Sequence, residues 1–124
     1  MLNYTIKKEK YFILVKQAGE DSYEVSLELW KEVAKACKKY QCFNILGISD
    51  TTPLKTMGAY DHHKIFDEAK ITMKHRIAWV ENNSKAIEML LFAETVLKNR
   101  GRLNGKVFAN VVEAKKWLMS IKGT

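Results

Sequence analysis

The sequence predicts an α/β fold: a mixed five-stranded sheet with four helices in the order ββαβαβαβα, in one domain spanning residues 1–124. Three observations carry this. The last fifty residues alternate short apolar runs with helical runs and leave little between them. Parallel strands need a crossover, usually a helix, so this alternation implies parallel pairing with helices packed on the sheet. The first two apolar runs lie too close for a crossover and imply a hairpin. Gly101, finally, stands where the long third helix should stop.

In chain order, Tyr4–Lys7 and Tyr11–Lys16 flank Lys8-Glu9-Lys10 as the hairpin strands. Phe12-Ile13-Leu14-Val15 is continuously apolar, as an interior strand should be. Ala18 to Ser22 reads as a loop, and Ser26 as the cap of the first helix. Leu27, Trp30, Val33, Ala34, Cys37 and Tyr40 then recur at helical spacing. Phe43–Ile48 is the next strand, ending at Ser49-Asp50-Thr51-Thr52-Pro53. Pro53 suits a first helical position, so Leu54–Ala69 is read as partly helical, weakened by Gly58. Arg76–Val80 is a strand, Asn82-Asn83-Ser84 a polar turn, and Lys85–Arg100 a helix. Lys106–Val111 and Val112–Ser120 close the chain as strand and helix.

Composition narrows the class. The chain has 124 residues, 47% of them hydrophobic, one proline and a net charge of +7. That is the profile of an ordinary globular domain. The lysines are spread along the sequence among acidic residues, so no nucleic-acid partner is expected. No run approaches the ~18 apolar residues of a membrane span. The start carries no signal-peptide pattern, and Cys37 and Cys42 read as reduced thiols, so the expected location is cytoplasmic.

Few motifs carry chemistry. His62 and His63 are adjacent, so on a helix they point about 100° apart, and His75 lies beyond that helix; no metal or other cofactor is expected. Gly101–Lys106 has the wrong spacing for a phosphate loop and precedes a strand. Neither cysteine sits in a nucleophile motif, and no carboxylate spacing selects acid–base work. The helix Lys85–Arg100 is more suggestive. Ala86, Met89, Leu90, Ala93, Val96 and Leu97 form one apolar face. Ile87, Leu91 and Phe92 extend it on either side, beyond the ~100° stripe an outer helix needs. An apolar excess of that kind marks an interaction surface or a ligand pocket at Ile87, Met89, Leu91 and Phe92.

The element order, the strand Arg76-Ile77-Ala78-Trp79-Val80, and the ending Val107-Phe108 … Glu113-Ala114-Lys115-Lys116-Trp117-Leu118 resemble the STAS domains, the SpoIIAA-like anti-sigma-factor antagonists. Their geometry is shared with CRAL-TRIO lipid-binding domains. The resemblance implies a regulatory loop after the third strand, reading roughly Asp-Ser-Ser-Gly with a phosphorylated first serine. Here Lys55-Thr56-Met57-Gly58 matches it best, with Thr56 as acceptor and Gly58 as the glycine. Lys55 and Met57 depart from the pattern. A second register uses Asp50-Thr51-Thr52 and lacks the glycine. The resulting expectation is a non-catalytic protein-interaction or regulatory module, with another protein or a second copy as partner. The alternative is a carrier of an apolar small molecule or lipid, with a cavity lined by Met57, Phe66, Met89 and Phe92. A third possibility is an enzyme of unrecognised type, with a cleft holding Asp50, Asp61 or a histidine.

Overall fold

A computed structural model describes residues 3–20, 22–52 and 59–120. The elements are β1 (Asn3–Lys8), β2 (Ile13–Glu20), α1 (Tyr23–Tyr40), β3 (Asn44–Thr52), α2 (Ala59–Ala69), β4 (Arg76–Glu81), α3 (Ser84–Asn99), β5 (Asn104–Phe108) and α4 (Val111–Met119). The sheet order is β1-β2-β3-β4-β5. β1 runs antiparallel to β2, and the other three pairings are parallel. The mixed sheet and element order are those read from the sequence.

The two faces of the sheet are covered unequally. On one, Ile13, Val15, Ile45, Ile77 and Trp79 pack with α1, α2 and α3. The Trp30 ring lies 4.9 Å from Phe66 and 5.5 Å from Trp79, joining two helices to β4. Gly47 stands opposite Trp79, and a Cβ there would lie 2.0 Å from the indole. On the other face, among the described residues, α4 covers Leu46, Ala78 and Val80 through Ala114 and Leu118. Every residue of β4 is buried, as expected for a strand with helices on both sides.

Several boundaries differ from the sequence reading, each for a local reason. β2 continues through Glu20 because Ala18, Gly19 and Glu20 pair with Asp50, Thr51 and Thr52 of a longer β3. Helix α1 starts four residues early: Ser22 Oγ accepts from the Val25 amide at 3.3 Å, and Ser26 is buried within the helix. Leu29 belongs to its buried face, whereas Tyr40 is exposed. Asn110 Oδ1 accepts from the Glu113 amide at 2.9 Å, so α4 begins at Val111 and β5 ends at Phe108. Gly101, at φ +67°, follows α3 as expected. The expected helix start at Pro53 lies outside the described residues.

Candidate functional site

The polar rim at the carboxyl ends of β3 and β4 is organised by Glu81. Its side chain is fully buried and accepts four hydrogen bonds. Ser49 Oγ and Thr51 Oγ1 each donate to Oε1 at 2.7 Å. The amides of Thr51 and Asn83 donate to Oε2 at 3.2 and 2.9 Å. Trp79 Nε1 donates to Ser49 Oγ at 2.9 Å, and Asn83 Nδ2 to the Thr51 carbonyl at 2.7 Å. Asn83 Oδ1 accepts from the Lys85 amide and so caps α3. A buried carboxylate with this many donors is compensated, and it ties two strand ends to a helix start.

That network engages one of the threonine candidates. Thr51 is 5% exposed and its hydroxyl is engaged, so it is not presented to a modifying partner. Burial of the strand end, where a loop was expected, is the reason. Thr52 and Asp50 point to the exposed side of the same strand. Thr56 and Gly58 lie outside the described residues.

Behind the rim a small space of about 80 Å³ lies between the sheet and the three helices. Trp30, Phe66, Ile77 and Leu97 wall it, with Glu81 and His62 at its polar side. Of the residues foreseen for an apolar cavity, Phe66 lines it, Met89 does not, Phe92 faces outward, and Met57 lies outside the described residues.

The outward flank of α3 contrasts with this lined interior. Ala86, Ala93 and Leu97 are buried and Leu90 packs beside them, which is the expected inner face. Phe92 is 63% and Leu91 43% exposed, while Ile87 and Met89 are half-buried. The excess over an ordinary amphipathic stripe therefore stands open to solvent.

The remaining reactive side chains are dispersed. His63 Nδ1 lies 3.5 Å from Asp67, which also pairs with Arg102. His75 Nδ1 accepts from the Thr72 amide at 3.0 Å, and burial lowers its pKa from 6.5. Burial pushes the Cys37 thiol up to about 12, which makes it a poor nucleophile at neutral pH. Arg76 donates to the carbonyls of Leu118 and Trp117 at 2.9 and 2.8 Å and lies 4.0 Å over the Trp117 ring, capping the end of α4. Among the described residues no three His, Cys, Asp or Glu side chains converge on one metal position. No described helix is long and apolar enough to cross a membrane.

The solved structure of an uncharacterised DUF3478-family protein with a SpoIIAA-like fold, from Shewanella loihica PV-4, superposes on this chain with a TM-score of 0.57. The match covers 94% of this chain and 93% of that one at 17% sequence identity. The fold is SpoIIAA-like. No family model and no curated protein matches the sequence. Within this SpoIIAA-like frame, sequence reasoning pointed to the apolar excess on α3, where Leu91 and Phe92 are exposed, and missed Glu81. The available signal was a carboxylate closing a mostly apolar strand, directly before two asparagines.

Proposed function

We propose that the chain is a non-catalytic interaction module that docks through the outer flank of α3, and that the partner it meets there is a second copy of itself. The exposure of two adjacent large apolar side chains, Leu91 and Phe92, carries this reading. They sit at the middle of Ser84–Asn99, so a two-fold crossing of two α3 helices lays the same patch on itself. Burying side chains of this size returns about 1.5–3 kcal/mol each. The rim supports a non-catalytic role, because Ser49, Thr51 and Glu81 spend their polar atoms on one another. A carrier of an apolar ligand is the weaker reading. The Phe66-lined space between the sheet and the helices, about 80 Å³, is well below the roughly 300–1,000 Å³ of ligand pockets.

Native mass spectrometry across a concentration series tests this. The expected result is a dimer that the Leu91→Ser/Phe92→Ser double variant loses while its circular dichroism is unchanged. A wild-type monomer at every concentration contradicts the reading, as does a dimer that survives the double substitution. A co-purified apolar molecule would favour the carrier instead.

A further inference from the structure

The lysines that look scattered in sequence are gathered in space. Because β2 to β5 run in parallel, each intervening helix returns the chain to the same amino-terminal edge of the sheet. The β1–β2 turn ends there too. That edge holds a cleft of about 660 Å³ whose walls include Lys8, Lys10, Tyr11, Tyr40, Phe43 and Lys74, with no carboxylate among its lining residues. A second groove of about 560 Å³ continues from it along α1 and α2, sharing Gln41, Phe43 and Lys74 and adding Lys31, Lys35, Lys38 and Lys70 with one carboxylate, Glu68. The opposite edge carries more acidic residues: Glu24, Asp61 and Glu113 stand in the first turns of α1, α2 and α4, and Glu20 and Asp50 near the ends of β2 and β3, while α3 has Lys85 there.

Helix dipoles account for part of this polarity, since cations favour helix carboxyl ends. They account for Lys38 and Lys39 in the last turn of α1. They do not account for Lys8 and Lys10 in the hairpin, or for Lys74 beyond the end of α2. Two further features point to the ligand. Exposed aromatics alternate with the cations: Tyr11 is 53% and Tyr40 46% exposed, with Lys10 and Lys39 ammonium groups 5.3 and 5.2 Å from their ring centres. Phe43 carries Lys74 over its face at 4.1 Å. The amides of Gln41, Asn44 and Asn104 donate to the backbone carbonyls of Lys38, Tyr11 and Met73, which leaves their oxygens as acceptors. Phosphate needs only the cations, whereas ring platforms and amide acceptors suit bases.

We infer that this edge binds single-stranded nucleic acid, with bases stacked on Tyr11 and Tyr40 and phosphates held by Lys8, Lys10, Lys39 and Lys74. A membrane surface fits less well. It would be met by protruding apolar side chains, and the exposed aromatics here are tyrosines flanking a concave cleft.

Fluorescence anisotropy with labelled single strands of about 12 nucleotides, one RNA and one DNA, tests this on the full chain. Either strand should bind, with the logarithm of affinity falling about 2–3 units per logarithm of salt for three or four phosphate contacts. Tyr11→Ala and Tyr40→Ala should each weaken binding about 5- to 150-fold, the range for one stacked base. Lys10→Glu/Lys74→Glu should weaken it further, and Lys85→Glu, at the far end of the molecule, less than twofold per charge changed. Circular dichroism checks that each variant is folded. Three results overturn the inference: no binding of either strand at low salt, equal losses for the cleft and Lys85 variants, or binding of phosphatidylglycerol vesicles without binding of either strand.

Discussion

The rim of β3 and β4 and the outer flank of α3 were the two regions that the sequence nominated for function, and they are built in opposite ways. At the rim, polar side chains are buried and consume one another around Glu81. On the flank, apolar side chains are exposed and have nothing over them among the described residues. Residues of a functional type therefore hold the fold together at the rim, while residues of a core type face solvent on α3. Side-chain chemistry alone does not separate the two regions; burial does.

The largest expected effect breaks the rim. Glu81→Ala leaves two hydroxyls and two amides without their acceptor. With orphaned buried groups costing about 1–3 kcal/mol each, and water entering the space left to offset part of that, the loss should be about 3–4 kcal/mol by urea unfolding. A loss below 1 kcal/mol would show that the network is not structural. The next effect separates neighbours on one strand. Thr51→Val should cost about 1–2 kcal/mol through its lost bond to Glu81. Thr52→Val, on the exposed side, should stay within about 0.5 kcal/mol. Equal costs would contradict the alternation of the strand through Thr52.

A smaller effect lies away from both regions, at His75. Burial favours its neutral form, so its folded pKa is below the unfolded 6.5. The unfolded state then binds more protons in the interval between the two values, and stability falls as pH drops through it. Above 6.5 the contribution of His75 is fully present. The slope of stability against pH just below 6.5 should flatten in His75→Gln, and an unchanged slope would assign the acid response to other groups.

The fold was legible because its signals are local. Apolar runs alternate with helical periods, and Gly101 and the asparagines before α3 mark helix ends. The strand ends were less legible. Ser49, Asp50 and Thr51 have loop-like chemistry, and they remain in a strand because Glu81, thirty residues later, satisfies two of them. Ser22 was passed over for Ser26 because both are good caps, and burial of the α1 face selects between them. The flank of α3 could be seen because a single helix carries the whole excess of apolar residues. The basic edge could not, since it joins residues from Lys8 to Asn104 that only the parallel topology brings together.

Hydrogen exchange at low and high protein concentration compares flank and rim most directly. The account predicts slower exchange in peptides covering residues 84–99 as concentration rises, with no change in peptides covering 44–52 and 76–81. Unchanged exchange over 84–99, or slowing confined to the strands, would contradict it.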